Sequence, residues 1–548
     1  MNDAHFESLD LWIQHVTAAF KEDKEVEFSD AVSFLQNPGW VTELLEFLIQ
    51  LTEKQADDNE PIYSASIYAI DVCLAQLQSA MEEGNKIAAK QLQNFMHKLT
   101  HLIEQGQRGL PFWLPVLNAL YDMHVVLTPE LQEAYQYLVD IHEDQVIDPS
   151  VDPLQVMRDM IQELSDLSSF EIAEHFFSQS YAMPPDFFAD FVFDLYSIPE
   201  GEDIALLTLL HPNAEVRDIV VQTLDSLIEQ LTLSSTSLTR LQTIQRWYGA
   251  EYHARFQRWI HIQRKKGVVF ARPVLDSKIQ YFSTEVDGSG AQGLFVQMSV
   301  GRKRRLGGIL LKQKVGIKDV WLTPWLSIEQ VKEYYQQSFS SSVSLSPVTG
   351  EYIQEMVNHM LALMMEQHNV PDLQLLALQE SSGLDFRPLS LDVGAVMEQV
   401  SVGITPFTPA IIEDALDNTR TWIRQKSFAA SWFWEDPEID AVVNRCCTIV
   451  QGVKVCALEK AVTSVLEEIF EPARQQCMFH FLWVALWARA RTRARQPRIW
   501  QDSFLIAYAI YHGRPLREIP LILAMAHRTV LHSIETMGIR RTHLGSAE

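Results

Sequence analysis

The stretch KIQYFSTEVDGSGAQGLFVQMSVGRKRRLGGILLKQKVGIKDVWLT, residues 278–323, decides the fold class. From 267 to 324 the apolar residues stop recurring every three or four positions. They fall instead into short β-branched or aromatic runs at 268–270, 278–286, 293–300, 306–312 and 320–323. Asp287-Gly288-Ser289-Gly290, the Gly301 to Arg305 run and Val315-Gly316-Ile317 separate the last four, and Asp-Gly is a strong hairpin dipeptide. The pattern predicts a small antiparallel meander.

On either side the period returns to that of a helix. From Phe6 to about Lys266 apolar residues sit three and four apart, as at Leu9, Trp12, Ile13 and Val16, with short Pro, Gly and Asp breaks. Brief loops force consecutive helices to pack antiparallel and side by side. Beyond Trp325 helices are expected at 351–368, 409–426, 438–450, 456–470, 472–495, 499–512 and 515–537, with the serine-rich 338–346 as a linker. The expected fold is mostly α: an α-solenoid-like N-terminal half, an inserted antiparallel β-meander and a helical C-terminal region. The expected boundaries are 1–266, 267–326, 327–400 and 401–548.

Charge follows the same division. Residues 1–239 hold 9 Lys/Arg against 41 Asp/Glu, whereas residues 240–320 hold 16 against 5, within a chain of 548 residues and net charge −27. Such a contrast marks an interaction surface. The N-terminus lacks the basic and apolar regions of a secretory signal, and the longest apolar run, 478–488, is too short to span a bilayer. A cytoplasmic protein with no membrane partner is expected. Five cysteines with no Cys-x-x-Cys pair predict reduced, buried thiols.

His211-Pro212-Asn213-Ala214-Glu215-Val216-Arg217, followed by Ile219, Val220, Leu224 and Leu227, resembles the second-helix entry of a HEAT repeat, over about residues 202–230. The resemblance implies that Val216 packs inward and that Arg217 lies across the inter-helix turn. Residues 237–318 also look like stretches in bacterial proteins without an assigned activity.

Two basic patches are candidate binding sites. In the first, Arg302, Lys303, Arg304 and Arg305 form a turn of the meander, and Lys312 and Lys314 lie on one face of the next strand. Arg255, Arg258, Arg264, Lys265 and Lys266 end the preceding helix beside Trp247, Tyr252 and Trp259. Basic residues beside aromatics suit phosphate contact and stacking, but they equally suit an acidic protein surface. In the second, Trp483, Trp487, Arg491, Arg495 and Arg498 would form one stripe of a continuous helix.

No catalytic residue, metal ligand or cofactor is assigned, because no Walker lysine, Gly-x-Ser-x-Gly, His-Glu-x-x-His or Gly-x-Gly-x-x-Gly occurs. Asp276, Glu285 and Asp287 with Lys312 and Lys314 are the one arrangement that a metal-dependent nuclease could use. Glu355, His359, Glu366 and nearby His368 read as a helix carrying a satisfied core-edge histidine. The functional expectation is a non-enzymatic scaffold binding a protein, or its own complementary domain. A nucleic-acid-binding protein using 240–320 is the first alternative, and a nuclease-like enzyme on the meander the second.

Overall fold

The computed structural model describes residues 9–544, except 23, 25, 27–36, 38, 83–84, 107, 124, 147–151, 182, 272–276, 339–343, 405–406, 451–452 and 493–496. The chain is mostly helical, with a small antiparallel sheet in its middle and a helical C-terminal region. It divides into two compact units, residues 1–208 with 215–224, and residues 209–214 with 225–548.

The first unit is built of helices that bury one face each. Trp12, Ile13, Val16, Leu44, Leu48, Leu74, Phe95, Trp113 and Leu120 form its core. Its helices include α1 (Pro61–Glu82), α2 (Leu110–Asp122), α3 (Pro153–Glu163) and α4 (Phe187–Tyr196). Local chemistry sets the helix starts. Ser168 and Glu171 close a capping box, and Asp152 caps α3 ahead of Pro153 at its first position.

The second unit is centred on a five-stranded sheet of order β4-β3-β2-β1-β5, with β1 (Lys278–Ser283), β2 (Ala291–Val300), β3 (Lys303–Lys312), β4 (Gly316–Leu322) and β5 (Ser346–Pro347). The β1/β2 register pairs Phe282 with Phe295, and β2/β3 pairs Val296 with Gly307. Period two puts Gln292, Leu294, Val296 and Met298 on one buried face. The same unit carries helices α5 (Ser235–Arg246), α6 (Ala250–Lys265), α7 (Gly350–Glu366), α8 (Leu373–Ser382), α9 (Val393–Ser401), α10 (Arg474–Ala490) and α11 (Pro497–Tyr511).

On the buried face the indoles of α10 do more than fill space. Trp483 Nε1 donates to Gln292 Oε1 (3.0 Å) and lies 3.1 Å from the Tyr352 hydroxyl, which itself donates to Gln292 Oε1 (2.7 Å). Trp487 Nε1 donates to Ser283 Oγ (3.0 Å). The paired glycines of β3 let both faces close. A Cβ on Gly307 would stand 2.5 Å from Leu378 of α8, and one on Gly308 would stand 2.3 Å from the Trp321 indole.

Four elements differ from expectation. Residues 268–270 form no strand: α6 ends at Lys265, the chain turns at Gly267 (φ +90°), and Arg264 donates to Val268 O (2.9 Å) and stacks over Phe270, holding the segment to its own helix. The fifth strand is Ser346–Pro347, at the end of the expected linker, of which 339–343 lie outside the described residues. Helices expected across 438–450 and 456–470 are interrupted by a hairpin of β6 (Cys447–Val450) and β7 (Val453–Cys456), whose β-branched residues favour strands. Cys447 and Cys456 face each other in that hairpin and form a disulfide, correcting the expectation of five reduced thiols; Cys73, Cys446 and Cys477 are free and buried.

Candidate functional site

The first basic patch turns inward along much of its length. Only Gly301 and Arg302 form the turn, and Lys303, Arg304 and Arg305 already belong to β3. The Arg304 guanidinium donates to Gly301 O and Lys303 O, both at 2.9 Å, closing its own hairpin. Arg305 Nε donates to Thr323 O (2.8 Å), just past the end of β4. Arg302 and Lys303 are exposed. Lys312 ends β3, but Lys314 sits in the following turn, so the two do not share a strand face.

Three arginines of the helices before the sheet are likewise answered within the second unit. Arg240, with its side chain 7% exposed, makes a two-pronged pair with Glu380 at 2.8 and 3.1 Å. Arg246 pairs with Asp385 at 3.0 Å, and Asp225 accepts from both Arg258 and Trp259 at 2.5 Å.

The second patch is not a stripe. α10 stops at Ala490, and Arg491 becomes extended because its backbone bridges Val348 while Thr492 N donates to Pro347 O (3.0 Å). The Arg491 guanidinium lies over the Trp487 ring. Arg495 falls outside the described residues, and Arg498 begins α11 as an exposed residue. Arg498 opposes the burial that pushes the Asp502 carboxyl up to about 6.

The expected metal arrangement does not assemble. Asp287 Oδ1 accepts from Ser289 Oγ (2.7 Å) and Ala291 N (2.8 Å), which is hairpin chemistry, and Asp276 lies outside the described residues. Burial raises Glu285, with the Arg491 charge opposing. No group of three metal-ligating side chains occurs among the described residues.

A cleft of about 600 Å³ opens between α7, α9, the segment 384–392 and Tyr281 of β1. Its wall is an extended strap held to α7 by alternate amides, as period two requires. Asp385 N donates to Gln354 Oε1 (3.4 Å), Arg387 N to Asn358 Oδ1 (2.8 Å), Leu389 N to Asn358 O (3.1 Å) and Leu391 N to His359 Nδ1 (3.2 Å). His359 is thus a satisfied histidine at the core edge, and burial lowers its pKa. Glu351, Glu355 and Asp392 line the cleft, whose described lining contains no Lys, Arg, His or Cys. Burial raises Glu355, opposed by Arg489, and raises the Tyr281 hydroxyl, reinforced by the Glu351 charge. Such a lining accepts hydrogen bonds and suits a cationic or N–H-rich group rather than a phosphate. Sequence reading missed this site, because the strap's alternation is hidden by the Pro388 break and by apolar neighbours.

Residues 394–534 match the family model described as the Y4lR C-terminal helical domain, and residues 184–267 match the Y4lR second domain. The "Uncharacterized protein y4lR" of Sinorhizobium fredii is 26% identical over 363 residues, covering 64% of this chain and 66% of that protein. The chain thus spans just under two thirds of the relative. No solved structure matches. No helix among the described residues is long and apolar enough to cross a membrane.

Proposed function

We propose that this chain is a non-enzymatic interaction protein that holds a protein partner through acidic helical surfaces, while the basic segment 240–320 serves mainly its own fold. One observation carries the reading: Arg240, Arg246 and Arg258 are spent on carboxylates of their own unit, and Arg304 and Arg305 on its carbonyls. A surface meant for nucleic acid presents such guanidiniums to phosphates. A HEAT-type arrangement at 202–230 belongs to the same proposal, supported by Val216, Val220 and Leu224, which are buried on one helix. Long helical arrays offer wide pre-formed surfaces for partners.

Arg302 and Lys303, exposed at the β2–β3 hairpin, favour nucleic acid as the second reading. The test is fluorescence anisotropy with labelled duplex and single-stranded DNA and RNA at about 50 mM salt, where electrostatic binding is strongest. No binding is expected. Binding that falls steeply with salt, and whose slope is flattened by replacing Arg302, Lys303, Arg304 and Arg305 with Ala, would overturn the reading. So would stoichiometric Mg²⁺, Mn²⁺ or Zn²⁺ in the purified protein.

A further inference from the structure

The acidic charge of the first unit is concentrated. Between residues 129 and 203 the chain carries 18 Asp/Glu and a single Lys/Arg, Arg158. Within that span α3 is unusual: it contains Leu154, Val156, Met157, Met160 and Ile161, yet only Ile161 is buried. Val156 and Met160 are 44% and 38% exposed. A surface helix normally turns such residues to the core. Asp152, Val156 and Met160 are spaced by four and stand in one line, flanked by exposed Asp159 and Glu163.

Helix α4 carries a second exposed apolar residue among carboxylates. Asp190, Phe193 and Asp194 share one face of it by spacing, and Phe193 is 52% exposed. The Asp194 carboxyl is raised by burial, then by the charges of Asp190 and of Asp152, the cap of α3. The turn Pro199–Gly201 packs against both helices, so α3 and α4 are neighbours through it. The result is two exposed apolar sets on neighbouring helices, Val156 with Met160 on α3 and Phe193 on α4, set among five carboxylates, with Arg158 the one cation on α3.

We propose that this α3–α4 face docks an amphipathic helix of a partner protein, one with apolar anchors three and four residues apart and Lys/Arg along its flanks. The anchors would cover the exposed apolar residues. The flanking cations would relieve the mutual repulsion of Asp152, Asp190 and Asp194, a repulsion that turns away acidic partners and nucleic acid. The inference rests on the protein-binding reading and names the partner's chemistry.

The test uses the full chain and two labelled peptides of about 18 Leu and Lys residues, one patterned as an amphipathic helix and one scrambled. At about 150 mM salt the patterned peptide should bind at least about tenfold more tightly than the scramble. The double variant Met160→Ser, Phe193→Ser should remove that advantage, and Asp190→Asn with Asp194→Asn should flatten its salt dependence. Equal affinity for both peptides, or full retention by the Ser variant, overturns the proposal. A fall of several degrees in melting temperature for the Ser variant would show that the chain covers these residues itself. A concentration-dependent dimer lost in that variant would assign the face to a second copy. Either result overturns the proposal as well. If a partner protein cross-links equally to wild type and variant, the protein-binding reading stands and only this surface falls.

Discussion

Replacing Asp71 by Asn should stabilise the first unit above neutral pH and do little below about pH 4. Asp71 projects from α1, where burial, reinforced by the charge of Asp122 at the end of α2, moves its carboxyl from 3.8 to about 7. A carboxyl raised on folding binds more protons folded than unfolded, so stability is greatest below the unfolded value and falls as pH rises towards the folded one. At about 1.4 kcal/mol per pH unit the displacement corresponds to roughly 4 kcal/mol, and partial access of water to this half-buried group halves it to about 2 kcal/mol. For a unit of this size that is about 4–8 °C in its melting transition. Calorimetry of wild type and Asp71→Asn at pH 4 and pH 8.5 reads it directly, since all other titrating groups are shared. The variant should gain that margin at pH 8.5 and lose most of it at pH 4. A stability difference independent of pH would refute the reasoning.

Three further outcomes are expected. His480 in α10 is buried against Trp432, and burial depresses its pKa from 6.5 to about 4. The unfolded chain therefore binds the extra proton, and up to ~3 kcal/mol should be lost as pH falls from 6.5 to 4, a dependence that His480→Gln removes in denaturant titrations. Glu380→Ala removes the carboxylate that neutralises the buried Arg240 guanidinium and should cost about 3 kcal/mol in chemical denaturation, more than Arg240→Met at the same pair. Gly308→Val places carbon into the Trp321 indole and should cost about 1–3 kcal/mol or abolish soluble expression, with Trp321→Ala on the same background recovering part of the loss.

Period two across 278–323 was enough to place four strands, because alternating burial on one face leaves an unmistakable imprint on β2. The helical character of both flanks was legible for the same reason. Length and pairing were not: β5 is two residues long and is made a strand only by β1 beside it. The 447–456 hairpin is too short to show its own period, so its first strand falls inside the helix expected at 438–450 and most of its second in the gap before 456–470. For the sites the division is sharper. Sequence alone determined where charge accumulates, at −32 over residues 1–239 from 9 Lys/Arg against 41 Asp/Glu. Only the tertiary structure decided which charges remain available. Arg305 reaches Thr323 across a strand pair, Arg240 reaches Glu380 from 140 residues away, and Arg491 leaves its helix to pair with Val348. Likewise Gln354, Asn358 and His359 look like scattered polar residues of one helix until the 384–392 strap lies across them and forms the cleft. A side chain's charge is a property of its residue type; its partner depends on which distant backbone the fold brings within about 3 Å.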